Sequence, residues 1–165
     1  MSLEKPTSTG PLSPGQVGLD SGPLFRLARV FDFATPQTGP GFESGHRVIT
    51  NVAEREWMLE FLRTGTAVLV STARMKDVLN PHAGPVVPGN FRTDGTWIWT
   101  DAVTYYLEQH SLAPDEELAR YIMARRRAGC RVGETDHQSA VKAADFLLNP
   151  PDQARTAVWV PGAGG

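Results

Sequence analysis

The spacing of apolar residues along the chain predicts both helices and strands. Val52, Leu59, Phe61 and Leu62 suit an amphipathic helix, because residues three or four positions apart meet on one helical face. Residues 66–72 instead hold a continuous apolar run, which is typical of a strand buried on both faces. The pattern therefore predicts a helix followed by a strand that lies centrally in a sheet.

Polar, glycine and proline residues mark where this helix and a later one begin and end. Asn51 followed by Glu54 approximates a capping box, and Gly65 is suited to terminating the helix. Pro114 fits the first position of the later helix because its fixed φ is helical. That helix is expected to end near Gly129, after a run of arginines that the helix dipole favours.

Two further helices are predicted from caps of the same kind. Thr100 or Asp101 can begin the first, and residues 135–138 form a capping box that begins the second. One face of the first helix holds Val103, Tyr106, Leu107 and His110. The second carries Val141, Ala144, Phe146, Leu147 and Leu148 before residues 149–151 stop it.

A β-hairpin is predicted around Asp94 and Gly95. An Asp-Gly pair readily supplies the positive φ angles of a two-residue turn, and short alternating runs flank it. We expect residues 86–92 to pair with residues 96–100, with Pro88 restricting the first strand to an edge or a bulge.

The N-terminal part of the chain is poorer in large apolar residues. Residues 1–23 are rich in Pro, Gly and Ser, and we expect a flexible arm because they cannot bury enough surface to offset the entropy of ordering. A strand ending near Ala34, a loop over residues 35–45 and a brief strand over residues 46–49 are expected next.

The fold class that these elements predict is α+β. A single domain over residues 24–161 would pack a mostly antiparallel sheet with a β-hairpin against three or four helices. Residues 156–160, which include Trp159, are expected to add a last strand, and residues 162–165 to form a tail. The chain has 165 residues, 41% of them hydrophobic, which is enough for one core.

Charge and cysteine content narrow the classes of function. The formal net charge is -2 and the pI is about 6.1, so no global positive field gathers nucleic acid. Cys130 is the only cysteine, which excludes an internal disulfide and makes a reducing cytoplasm the expected location. No apolar run approaches the roughly 18 residues of a membrane-spanning helix, so no membrane partner is expected.

Residues 90–110 are the most informative segment for function, because they contain Trp97, Trp99, Tyr105 and Tyr106. The two indoles alternate along a strand and therefore share one face. We interpret them first as core packing or a subunit contact, since aromatic residues commonly anchor both. The alternative is a pocket beside the hairpin, lined by these aromatic side chains.

Three polar residues of the same segment would supply the polarity of such a pocket: Arg92, Asp101 and His110. The candidates for anion binding form a local arginine cluster: Arg125, Arg126, Arg127 and Arg131. Arginine forks recognise phosphate well, but cations are also favoured at a helix C-terminus without any ligand.

Known catalytic and metal-binding patterns do not occur in the sequence. His46, His82, His110 and His137 do not show metal-ligand spacing, and neither a glycine-rich phosphate loop nor a nucleophile elbow is found. We therefore predict no catalytic residue, no metal and no cofactor.

The run RTDGTWIWTD, from Arg92 to Asp101, continues to Leu107 and resembles a motif of small, uncharacterised proteins of high-GC bacteria. That resemblance implies no activity and no site residue. In its broader style the chain is similar to some bacterial immunity proteins, which neutralise toxins and are small, acidic, cytoplasmic and α+β.

The sequence favours a non-enzymatic cytoplasmic protein that forms a homodimer or binds a protein partner. One alternative is a small enzyme or ligand-binding protein that holds a small molecule in the pocket beside Trp97 and Trp99. The other is nucleic-acid binding through the arginine cluster, which the acidic net charge disfavours.

Overall fold

The structure is a computed structural model that describes residues 25–130 and 135–151. Four sequence predictions lie outside the described residues: the arm over residues 1–23, the strand over residues 156–160, the tail over residues 162–165 and the role of Arg131.

The described residues form eight short strands and four helices, which confirms the α+β class. The strands are β1 (Arg26–Leu27), β2 (Phe33–Thr35), β3 (Gly39–Gly41), β4 (Thr66–Leu69), β5 (Arg74–Lys76), β6 (Pro85–Pro88), β7 (Phe91–Thr93) and β8 (Trp97–Thr100). The helices are α1 (Val52–Thr64), α2 (Asp101–His110), α3 (Glu116–Arg127) and α4 (His137–Leu148), and a single 3₁₀ turn covers Pro81–Ala83.

The main sheet has four strands in the order β1, β8, β7, β4. β1 runs parallel to β8, while β7 pairs antiparallel with both β8 and β4. Trp97 and Trp99 lie on the face covered by α1 and α3, and Ile98 points to the opposite face, where it meets Phe25 and α4. The predicted alternation of the indoles is confirmed.

Helix α1 begins as its sequence predicts, because the Oδ1 of Asn51 accepts a hydrogen bond from the backbone N–H of Glu54. Gly65 follows the helix, but its φ of -57° is accessible to any residue. A Cβ at this position would lie 2.3 Å from the ring of Trp99. Glycine is therefore needed here for space and not for backbone freedom.

The prediction of a central strand at residues 66–72 is wrong. β4 ends at Leu69 and lies at the edge of the sheet, and the side chain of Val70 is 78% exposed. The apolar run is real, but only Val68 and Leu69 pack against the cluster beneath α4. Val52, predicted on the inner face of α1, is also exposed.

The predicted hairpin is confirmed as β7 and β8, with its turn one residue later than expected. Thr93 is paired with Ile98, and of the turn residues only Gly95 has a positive φ, at 91°. Asp94 instead caps the turn, since its Oδ1 accepts the N–H groups of Thr96 and Trp97.

The first strand of the hairpin was predicted too long. Residues 85–88 form β6, which pairs with β5, and β7 begins only at Phe91. The side chain of Asn90 occupies the break, where its Oδ1 accepts the N–H of Ser71 and its Nδ2 donates to Asp101.

The segment before α1 is more regular than predicted. The expected strand up to Ala34 is divided into β1 and β2, and β2 forms a small hairpin with β3 inside the predicted loop. The brief strand expected at residues 46–49 is reduced to one bridge between Val48 and Leu112.

Two helix starts shift by a residue or two. α3 begins at Glu116, because Asp115 caps it by accepting the N–H of Glu117, so Pro114 precedes the helix. Asp136 caps α4 by accepting the N–H of Ser139. Of the five apolar residues that the sequence analysis assigned to α4, Val141 and Leu148 have exposed side chains.

Candidate functional site

The structure buries the two tryptophans of the predicted pocket in the core of the chain. Trp97 and Trp99 are 2% and 1% exposed, and the Nε1 of Trp99 donates to the carbonyl of Leu62. Their rings lie 6.2 Å from Tyr121 and 5.6 Å from Phe61, respectively. Neither indole presents a face to solvent, so neither can line an open pocket or a subunit contact in this conformation.

Arg92 and Asp101 form a clamp between two helices. The Nε of Arg92 donates to the Oδ1 of Asp101 at 2.6 Å, and its Nη1 donates to the carbonyl of Gly65 at 3.0 Å. The pair therefore joins the end of α1 to the start of α2. This is a structural role, and it accounts for both side chains.

Tyr105 and His110 meet at a carboxylate that the sequence analysis did not single out, Asp77. The Nε2 of His110 lies 2.6 Å from the Oδ2 of Asp77, and the hydroxyl of Tyr105 donates to the same oxygen at 3.0 Å. The hydroxyl of Tyr106 accepts the N–H of Val78 at 3.1 Å. Three side chains of α2 thus hold the segment that follows β5.

Hydrogen bonding keeps Asp77 ionised although it is buried. Burial raises the pKa of its carboxyl, but hydrogen bonds from the His110 imidazole, the Leu79 N–H and the Tyr105 hydroxyl outweigh this and leave the pKa below its ordinary value. Burial also raises the pKa of Tyr105, and it raises the pKa of Tyr106 to about 12.

The described members of the arginine cluster do not converge on a common point. The guanidinium of Arg125 lies over the ring of Tyr121 at 5.5 Å, and that of Arg126 over the ring of Trp57 at 5.4 Å. Each stacking interaction is a cation–π contact within the chain. Arg127 is exposed at the end of α3.

An open cleft of about 430 Å³ lies elsewhere, between the segment that follows β1, the loop over residues 43–47 and the start of α3. Its apolar lining consists of Val30, Phe31, Ala113, Pro114 and Ala119, with Gly45 at its edge. Its polar lining consists of Arg29, Asp32, Glu43, His46, Arg47, Asp115, Glu116 and Arg120. A volume of several hundred Å³ suits a small organic ligand.

His46 connects two walls of the cleft, the segment that contains Asp32 and the segment that contains Ala113. Its Nδ1 lies 2.9 Å from the Oδ2 of Asp32, and its Nε2 lies 2.9 Å from the carbonyl of Ala113. Both partners are acceptors, so the arrangement is fully satisfied only when both ring nitrogens carry hydrogen. Both ring nitrogens of His46 are therefore engaged with partners inside the protein.

Arg29 is held in place by the cap of α3. The Oδ2 of Asp115 accepts from both the backbone N–H and the Nε of Arg29, at 3.2 and 3.3 Å. The carboxylate is 8% exposed, whereas the arginine side chain is 76% exposed. Both Nη groups of Arg29 lack a hydrogen-bond partner among the described residues, so an oriented guanidinium fork faces solvent at the cleft.

A chain of ring contacts connects His46 of the cleft to the Asp77 cluster. The ring of Phe42 lies 5.1 Å from His46 and 4.9 Å from Tyr106. The ring of Tyr106 in turn stacks on His110 at 5.9 Å. His46 is thereby packed against aromatic side chains that continue to helix α2.

Sequence reasoning missed the cleft because its contacts join distant residues. Arg29 and Asp115 are 86 positions apart, and His46 and Ala113 are 67 apart. The sequence around His46 shows no local pattern that predicts either of its two partners. Asp115 was expected inside the first turn of α3, where the helix dipole favours an anion, and this expectation gives neither its role as the cap nor its contact with Arg29.

The described residues contain no group of three or more His, Cys, Asp or Glu side chains arranged to hold a metal ion. Over the same residues, no helix has the length and apolar character needed to cross a bilayer. Comparisons of the chain with family models, curated proteins and solved structures give no match.

Proposed function

We propose that this is a cytoplasmic binding protein that holds a small organic anion in the cleft. The carrying observation is the guanidinium of Arg29: Asp115 orients it through Nε, while neither Nη group has a hydrogen-bond partner among residues 25–130 and 135–151. A planar fork of this kind matches the two oxygens of a carboxylate or phosphate.

The cleft suits binding better than catalysis. The described residues that line it include no hydroxyl, thiol or amine side chain, so they supply no serine-, cysteine- or lysine-type nucleophile. Both nitrogens of His46 are engaged inside the protein, so this imidazole is not available to a ligand as a general base. What the cleft offers is an apolar floor with charged groups at its rim, the composition of a recognition site.

The experiment is a ¹⁵N NMR titration of the whole chain with acetate and with inorganic phosphate, using chloride at equal ionic strength as the reference. Fragments of this size bind with dissociation constants on the order of millimolar. We expect the amide signals of Gly45 and Asp115 to move with one oxyanion and not with chloride. The anion that moves them identifies the headgroup.

Arg29→Met is the decisive variant, since Asp115 keeps two backbone N–H donors and the helix cap survives. Binding should weaken by about tenfold, the value of one charge-assisted hydrogen-bond pair. Arg127→Met, which removes the same charge at the far end of α3, should bind as the unaltered protein does. Shifts that persist in Arg29→Met, or no shifts beyond those of chloride, would overturn the proposal.

A second candidate, homodimer formation, is favoured by the edge strand β4. Its outer side carries no strand among the described residues, and exposed Val70 follows an uncharged apolar run. Such an edge is a template for pairing with another strand. Light scattering of the parent protein should then give the mass of a dimer. Val70→Lys should convert the dimer to a monomer, whereas the control Val52→Lys on α1 should leave the dimer intact. A monomeric parent protein would exclude this candidate.

A further inference from the structure

The carboxylates that line the cleft differ in whether a side chain of the protein already pairs with them. Asp32 is paired with His46, Asp115 with Arg29, and Glu116 with Arg120. Glu43 is the exception: its carboxylate has neither an ion pair nor a hydrogen bond among the described residues. Within the described part of the chain, Glu43 is therefore the unpaired anion of the cleft lining.

The backbone of Glu43 is nevertheless firmly placed. Its N–H donates to the Oδ2 of Asp32 at 2.8 Å, and its carbonyl accepts the N–H of His46 at 3.0 Å. Asp32 and His46 also contact each other, so the backbone of Glu43 belongs to the same hydrogen-bond network as the cleft walls. The free carboxylate is thus presented from a fixed point at the rim.

Two unused charges of opposite sign consequently share one cleft. The Nη groups of Arg29 offer donors to an anion, and the carboxylate of Glu43 offers acceptors to a cation. A ligand with only a carboxylate would leave Glu43 unpaired and would place a second anion in the same cleft. A ligand that carries both charges satisfies both ends.

We propose that the ligand is a small zwitterion of the amino-acid type, whose carboxylate binds Arg29 and whose ammonium group binds Glu43. This inference rests on the proposed binding function, and it adds a role for Glu43 and a cationic group on the ligand. The apolar floor formed by Val30, Phe31 and Ala113 accommodates the carbon chain between the two charges.

The test uses probes that differ only in the amino group. Glycine, β-alanine, γ-aminobutyrate and ε-aminohexanoate are titrated beside the carboxylates of equal chain length, and n-butylamine serves as the cation alone. We expect at least one amino acid to bind roughly two- to fivefold more tightly than its matched carboxylate, the contribution of one exposed charge pair. The chain length that binds best measures the separation of the two charges.

Variants locate the second contact. Glu43→Gln should abolish the advantage of the amino acid while leaving the affinity of the plain carboxylate unchanged or slightly improved. Glu56→Gln, an exposed glutamate on α1 outside the cleft, should retain the advantage.

The outcomes separate the two proposals. If every amino acid binds no better than its matched carboxylate, or if Glu43→Gln keeps the advantage, the zwitterion is excluded and anion binding stands. If neither amino acids nor carboxylates bind, anion binding itself fails. If n-butylamine binds as tightly as the amino acids, the carboxylate contributes nothing to binding, and the proposed simultaneous contacts to Arg29 and Glu43 are excluded.

Discussion

The Nε2 of His110 lies 2.6 Å from the Oδ2 of Asp77, a carboxylate that is almost fully buried. The other oxygen of Asp77 accepts the backbone N–H groups of Leu79 and Asn80. One buried anion thereby connects the end of α2 to the segment after β5. A buried charge is stable only when its hydrogen bonds are complete, and here both oxygens are satisfied.

Asp77→Asn should lower the free energy of unfolding by about 1–3 kcal/mol near neutral pH, because the hydrogen bonds to a charged acceptor are lost. The pKa of Asp77 is lowered in the folded protein, so the ionised group stabilises the fold above the pKa it has in the unfolded chain. That contribution is lost as the pH falls through the lower, folded pKa.

Urea unfolding of the parent protein and Asp77→Asn over a range of pH checks this prediction. The difference in free energy of unfolding should shrink as the pH falls below about 4. A difference that grows with acid would contradict the assignment of Asp77 as an ionised, hydrogen-bonded carboxylate.

The three tyrosines of the chain should resist ionisation while the protein is folded. Burial is the main cause that raises the pKa of Tyr105, Tyr106 and Tyr121, and for Tyr106 it reaches about 12. Since each folded pKa is raised, the folded state keeps protons that the unfolded state loses above about pH 10. The free energy of unfolding should therefore decrease as the pH rises beyond that value.

Tyrosinate absorbance, measured against pH with and without guanidinium chloride, provides the test. The folded protein should ionise at higher pH than the denatured chain, and unfolding at alkaline pH should release the remaining signal. Coincident titration curves would show that the tyrosines are not protected.

Gly65→Ala should destabilise the protein by about 1–3 kcal/mol, the usual effect of overpacking. The added Cβ would lie 2.3 Å from the ring of Trp99, so either the indole or the end of α1 must shift. Backbone conformation does not oppose the change, because φ at Gly65 is -57°. The steric contact alone accounts for the expected loss.

Gly45→Ala is the matched control, since a Cβ there meets no atom of the described residues within 4 Å. Thermal unfolding should show that the free energy of unfolding of this control lies within about 1 kcal/mol of the parent value. Any change should be towards greater stability. Equal effects at the two positions would show that the close approach of Gly65 and Trp99 is not what requires glycine.

Local signals predicted the parts of the fold that depend on neighbouring residues. The cap of α1 by Asn51 and the hairpin at Gly95 follow from hydrogen bonds and backbone angles within a few positions of the chain. The alternation of Trp97 and Trp99 likewise follows from the geometry of any strand. These features were therefore predictable without knowledge of the whole fold.

Features that depend on distant neighbours were not predictable in the same way. The apolar run that includes Val70 predicts a buried strand. Whether such a strand is buried depends on the elements that lie beside it, and β4 lies at the edge of the sheet. The cleft depends on Arg29 meeting Asp115 and on His46 meeting Ala113, contacts with no local sequence pattern.

The most direct test of the central claim is a crystal structure of the protein with the most tightly bound carboxylate or amino acid of the titrations. The account predicts ligand density in the cleft, with carboxylate oxygens roughly 2.7–3.2 Å from the Nη groups of Arg29. Density bound elsewhere on the surface, with Arg29 making no contact to it, would contradict the assignment of this cleft as the binding site.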